Sequence, residues 1–127
     1  EMAALLERVR PPFCVSVPAL AAALAAVDDQ EWVEKCRLAN KEGLATLQSG
    51  LEALGIPCVK SEANFILARF GKDSAQINDK LQRAGFIVRP VANYGLPDYL
   101  RISVGTAAQN AGFLKALGTI LGATAGK

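Results

Sequence analysis

No histidine occurs among the 127 residues. A Ser-His-Asp triad or a Cys-His pair therefore cannot be built from this chain alone. The commonest nitrogen ligand for zinc is missing as well, so no metal site is expected. Cysteine is scarce. Cys14, Cys36 and Cys58 are odd in number and match no metal or redox spacing, and reduced thiols in a cytoplasmic protein are the simplest reading. Neither Gly-x-x-x-x-Gly-Lys-Ser/Thr nor Gly-x-Gly-x-x-Gly appears, so a glycine-rich phosphate loop is excluded. Aromatic residues make up only 6% of the chain and the net charge is only +2. Without base-stacking surfaces or a dense basic cluster, no nucleic-acid partner is expected. The longest apolar stretch, residues 17–27, falls well short of the roughly 20 residues that span a bilayer. No basic segment precedes it as in a signal peptide, and no membrane partner is expected.

What remains is a globular chain. Hydrophobic residues make up 51% and charged residues 20%, a balance that supports one packed domain. Met2, Leu5, Leu6 and Val9 fall on one helical face. The chain starts abruptly in that pattern, which suggests a cut from something longer. Arg10-Pro11-Pro12-Phe13 then breaks the helix and stiffens the chain as a hinge. Ser16 is placed to cap an alanine-rich helix, with Pro18 in its first turn. Asp28-x-x-Glu31 resembles a capping box for a second helix. Its stripe is Trp32, Cys36, Ala39, Gly43, Leu47, Leu51 and Leu54, which places Cys36 in the core. Gly55, with Pro57 beyond it, ends this helix of about 26 residues.

Shorter elements follow. A brief strand is expected at residues 58–60. Residues 64–70 are almost continuously apolar, as in a strand buried on both faces, with Asn64 capping the turn that opens it. Asp73 or Ser74 caps a helix that carries Ile77, Leu81 and Ala84 inward and stops at Gly85. Residues 86–89 form a strand ending at Pro90, and residues 90–98 form a Gly/Pro loop. Leu100, Ile102 and Val104 alternate with Tyr99, Arg101 and Ser103, a strand with two distinct faces. Thr106-x-x-Gln109 is a capping box for a last helix that buries Phe113, Leu117, Ile120 and Leu121 and ends at Gly122. The fold class is α/β (α+β), a small mixed sheet covered by helices.

Two side chains stand out chemically. Arg101 lies on the strand face opposite Leu100 and Ile102, where a fixed guanidinium suits bidentate capture of a carboxylate. The alternative is a solvated strand arginine, or one paired with Asp98 or Glu62. Arg89 ends a strand at the mouth of the Gly/Pro loop, a common place for ligand contacts. Together they would suit a ligand with two anionic groups. Asn93 and Tyr94 on the loop are candidates to touch that ligand. Cys14 lies in the hinge with nothing nearby to mark it as a nucleophile.

Residues 86–105 read FIVRPVANYGLPDYLRISVG. This run resembles the C-terminal signature of histidinol-phosphate aminotransferases. Arg10-Pro11-Pro12-Phe13-Cys14-Val15-Ser16 is similar to that family's interdomain segment. Ser61-Glu62-Ala63-Asn64-Phe65-Ile66-Leu67 is similar to a small-domain strand, and residues 105–117 are similar to its final helix. The resemblance covers nearly the whole chain in order. It implies the C-terminal small domain of a fold-type I PLP-dependent transferase, with residues 1–13 as the end of a large-domain helix and hinge and residues 14–127 as the small domain. It implies a parent enzyme, cytoplasmic and homodimeric, that uses pyridoxal 5′-phosphate to move an amino group between L-histidinol phosphate and 2-oxoglutarate in histidine biosynthesis. Arg101 matches the arginine that grips the substrate carboxylate, and Arg89 matches one near the substrate phosphate. The implied partners are the chain's own large domain, a second subunit and a small-molecule amino acid or phosphate substrate.

Two departures accompany it. The family's Schiff-base lysine and the residues that hold the cofactor ring lie upstream of Glu1, so no catalytic or cofactor-binding residue is assigned here and the chain alone is expected to be inactive. Cys14 stands where the family usually has asparagine. A related class I/II aminotransferase or a threonine-phosphate decarboxylase would share the two arginines. A free-standing anion-binding α/β module and a purely structural domain are the alternatives of other classes.

Overall fold

The computed structural model describes residues 2–9 and 15–125. The expected hinge at residues 10–13 and Cys14 lie outside the described residues. The chain divides between Cys36 and Arg37 into two compact units.

The first unit holds α1 (Met2–Val9), α2 (Val17–Asp28) and the start of α3 (Gln30–Ala53). Ser16 caps α2 as its position requires, its hydroxyl accepting from the Ala19 amide at 3.3 Å with Pro18 in the first turn. The cap of α3 is Asp29, not Asp28. Asp28 is the last residue of α2, and the Asp29 carboxylate accepts from the Trp32 amide at 3.0 Å. Neither α1 nor α2 has a buried residue. The apolar stripe of α3 is exposed at Trp32, Cys36 and Ala39 and becomes buried only from Gly43 onward, so Cys36 is not a core residue.

The second unit, Arg37–Lys127, holds the core. Its elements are the rest of α3, β1 (Cys58–Val59), β2 (Phe65–Arg69), α4 (Ser74–Arg83), β3 (Arg89–Val91), β4 (Leu96–Ser103) and α5 (Ala107–Ala125). The sheet order is β1-β2-β4-β3, and every neighbouring pair is antiparallel, where a mixed sheet was expected. The reason lies in the topology. Strands β2 and β3 flank α4 in sequence and run parallel to each other, but β4 inserts between them and pairs antiparallel with both. The parallel relation exists without a parallel hydrogen-bonded ladder.

Helices cover one face of this sheet. Ile66, Ala68, Leu100 and Ile102 meet Leu47 and Leu51 of α3, Ile77 and Leu81 of α4, and Phe113 and Leu117 of α5 in a single cluster. Strand β2 is therefore buried on one face only: Ile66 and Ala68 are buried while Phe65 and Leu67 stay half-exposed. Strand β3 begins at Arg89 and runs through Pro90, instead of ending there. Proline lacks a donor but is tolerated because β3 is an edge strand. The expected long loop is correspondingly short: a single 3₁₀ turn, Ala92–Tyr94, closed by Gly95 at φ +77°.

Local signals account for several boundaries. Gly85 adopts φ +87°, which lets the Phe86 amide reach back to the Leu81 carbonyl at 2.9 Å and stop α4. The Ser74 hydroxyl does not cap α4; it donates to the Pro97 carbonyl at 2.7 Å and ties the helix start to β4. Asp73 makes no side-chain cap either. The turn before β2 is held by the Ser61 hydroxyl, which accepts from the Ala63 amide at 3.1 Å, while Asn64 contributes its carbonyl to the Val104 amide at 2.9 Å. The capping box of α5 is reciprocal: the Gln109 amide donates to the Thr106 hydroxyl at 3.3 Å and the Thr106 amide to the Gln109 side chain at 2.9 Å. Helix α5 runs through Gly122, which keeps a helical backbone, to Ala125. Among the described residues, no helix is long and apolar enough to cross a membrane.

Gly43 marks the tightest approach of α3. A Cβ there would lie 2.3 Å from Cγ1 of Val104. Gly43→Ala should thus destabilise the fold by about 1–3 kcal/mol through overpacking, partly offset by the better helix propensity of alanine. The midpoint of urea unfolding reports this; an unchanged or higher midpoint would refute the close contact.

Burial, and to a lesser degree the charge of Glu52, push the Cys58 thiol above its ordinary value. The folded state then holds the thiol proton more tightly than the unfolded chain. Stability from this site is present below the ordinary thiol range and falls as pH rises through it. In Cys58→Ala, the drop in unfolding free energy between neutral and strongly alkaline pH should be smaller than in the parent. An equal or larger drop would contradict the assignment.

Candidate anion-binding face

Helices α4 and α5 and the second half of α3 pack on one face and leave the other face of the sheet half-exposed. Period-2 alternation places Phe65, Leu67 and Arg69 of β2 and Tyr99, Arg101 and Ser103 of β4 on it. The register adds Arg89 from the edge strand, directly opposite Arg101. The two arginines are twelve positions apart in sequence, yet they are cross-strand neighbours. Residues paired this way hold their Cβ atoms about 4.5–5.5 Å apart, and like charges so placed repel.

Arg101 is half-buried and Arg89 is exposed. The Nε of Arg101 is buried without a hydrogen-bond acceptor among the described residues. Its guanidinium carbon lies 5.2 Å from the centre of the Phe65 ring and over it. Asp98 is committed elsewhere: its carboxylate accepts from Nη2 of Arg69 at 3.3 Å. Glu62 is exposed on the connection between β1 and β2, and no ion pair among the described residues joins it to Arg101. The alternative in which Asp98 or Glu62 neutralises Arg101 is thereby excluded. What stands on the face is an Arg89–Arg101 pair with two positive charges and no acidic partner among the described residues.

Asn93 and Tyr94 are exposed on the turn joining β3 to β4. No hydrogen bond or ring contact joins either one to the arginines. Phe65 is the residue that sequence reasoning missed as part of this site. It read as one more apolar position in a continuous strand, and only the pairing of Phe65 with Ser103 and of Leu67 with Arg101 shows that it shares a face with the guanidinium.

None of the described lysine side chains is buried. Lys35, Lys41, Lys60, Lys72 and Lys115 are exposed and Lys80 is half-buried on α4. Among the described residues there is also no cluster of three or more acidic or cysteine side chains that could hold a metal.

The second unit is thus a helix-backed antiparallel sheet whose open face carries Arg89 and Arg101. Residues 1–117 match the family described as aminotransferase class I and II, and the chain belongs to that family. It is 54% identical over 123 residues to histidinol-phosphate aminotransferase 1 of Thiobacillus denitrificans, covering 97% of this chain and 32% of that protein. It is 47% identical over 122 residues to the histidinol-phosphate aminotransferase of Symbiobacterium thermophilum, covering 96% and 34%. The chain thus spans about a third of the length of these curated relatives. Among solved structures it is similar to histidinol-phosphate aminotransferase from Sinorhizobium meliloti in complex with pyridoxal 5′-phosphate, at 25% identity and a TM-score of 0.83 over 94% of this chain and 34% of that one. The enzyme of the same name from Clostridium acetobutylicum shares the fold, with a TM-score of 0.86 over 95% of this chain and 38% of that one, at 24% identity.

The juxtaposed arginines make a stability prediction independent of any ligand. Arg89→Gln removes a like-charge neighbour of Arg101, so Tm in low salt should rise by a small amount. The gain should vanish in 1 M salt, where screening is nearly complete. A lower Tm at both salt concentrations would show that the two cations are already compensated.

Proposed function

We propose that this chain is the substrate-closing small domain of a pyridoxal-phosphate-dependent aminotransferase acting on L-histidinol phosphate and 2-oxoglutarate. The observation that carries this reading is the Arg89–Arg101 pair, held on one sheet face by the β3–β4 register with no acidic partner among the described residues. Arg101, fixed on the central part of the sheet, binds the carboxylate of the amino-acid or oxo-acid substrate through parallel N–H···O bonds. Arg89 neutralises a phosphate, and Asn93 and Tyr94 approach the bound substrate from the turn. The residues that hold the cofactor belong to the large domain.

In this reading residues 1–13 belong to the large domain and its hinge, and residues 14–127 form the domain that closes. Closure brings the cations to the substrate and excludes water, which strengthens every charge interaction at the site. The enzyme works in the cytoplasm as a homodimer. High identity to enzymes named histidinol-phosphate aminotransferase favours this specificity over other aminotransferases, and a panel of amino donors assayed on the full-length protein separates them.

Arg101→Ala in the full-length protein should lower kcat/KM for glutamate about a hundredfold, roughly 2.7 kcal/mol. Arg101→Lys should recover only part of this, because a point charge cannot reproduce the guanidinium fork. Unchanged kinetics in both variants would sink the carboxylate assignment.

A further inference from the structure

The guanidinium of Arg101 raises a physical problem that the sheet face answers. An arginine that must receive a carboxylate cannot be held by a carboxylate of its own, because the resident acid would compete with the ligand for the same N–H groups. Here the nearest acidic side chain along β4, Asp98, is occupied by Arg69. The Nε of Arg101 has no acceptor among the described residues. Left to such contacts alone, a long flexible side chain facing Arg89 across the ladder would swing away from it, and ordering it on binding would cost affinity.

We propose that Phe65 is a positioning residue for Arg101. Its half-buried ring lies beneath the guanidinium, 5.2 Å from the ring centre to the guanidinium carbon. A benzene ring attracts the cation through its negative face and has no hydrogen-bond acceptor, so it fixes the group without consuming an N–H. Leu67, directly across the ladder from Arg101, supplies an apolar neighbour on the same face. The side chain is thereby held ready while its donors remain free for an incoming carboxylate. Strand β2 supports the ring rigidly, since the adjacent Ile66 is buried in the core. The role assigned to Phe65 rests on the proposed binding of a carboxylate by Arg101.

The test uses the full-length protein in three variants: Phe65→Leu, Phe65→Tyr and Arg101→Ala. Leucine keeps an apolar group of comparable bulk but has no ring face; tyrosine keeps the face. Binding of the unreactive dicarboxylate glutarate is measured by calorimetry, beside steady-state kinetics with glutamate. Phe65→Leu is expected to weaken glutarate binding and raise KM for glutamate by about five- to tenfold, the size of one partly exposed cation–π contact, with kcat within about twofold because catalytic groups are untouched. Phe65→Tyr is expected to match the parent. Glutarate binding lost in Arg101→Ala but unchanged in Phe65→Leu would overturn the positioning role alone. Equal losses in the leucine and tyrosine variants would overturn it too, since simple packing would then explain both. Glutarate binding unchanged in Arg101→Ala would remove the carboxylate reading itself, and the role of Phe65 with it.

Discussion

Alternation along the central strand β4 governs this molecule. Leu100 and Ile102 are almost fully buried against helices, and the residue between them must face the other way. Burying that pair fixes the register of β4 against both β2 and β3, because a slip of one residue would drive Arg101 into the core and expose Leu100. Fully burying two such side chains contributes about 3–6 kcal/mol. The same packing that holds the sheet together therefore sets which way the guanidinium points. Position and stability of the candidate site are not separable.

The covering layer depends on that constraint as well. Helices α4 and α5 and the second half of α3 all lie against one face, and their apolar stripes converge on one cluster. Close approach is possible where the sequence provides small residues: Gly43 faces Val104, and Gly50 faces Leu114. Asn110, buried at the start of α5, exchanges two hydrogen bonds with the Gly105 backbone at 2.9 and 3.1 Å, so its amide is satisfied inside the core. The open face carries the opposite character. Its half-buried Phe65, Leu67 and Tyr99 sit beside three arginines, of which only Arg69 has an acidic partner among the described residues.

Several features were legible along the chain. The capping box Thr106–Gln109, the Ser16 cap, the stop at Gly85 and the two-faced strand around Arg101 all rest on interactions within a few residues, where sequence spacing equals spatial spacing. The departures share another cause. Cys36 lies on the apolar stripe of α3, but a stripe indicates only what a helix could bury, and here burial starts at Gly43. Residues 64–70 read as a strand buried on both faces because both faces are apolar. Whether helices cover one side or two is decided by the path of the chain, not by the strand. Pro90 marked the end of a strand because its missing donor weakens a ladder; an edge strand tolerates that loss.

Sequence alone determined the class of the fold, the helices, the caps at Ser16 and at Thr106–Gln109, the identity of Arg101 as an outward-facing strand residue, and the resemblance to one family of aminotransferases. These follow from local periodicity and from contiguous motifs. Only the tertiary structure decided that Arg89 stands directly across from Arg101, that Asp98 is taken by Arg69, and that Phe65 lies beneath the guanidinium. Each of these depends on which strands become neighbours and in what register. That is a non-local choice made by core packing, in which residues separated by a helix or a hairpin are brought together.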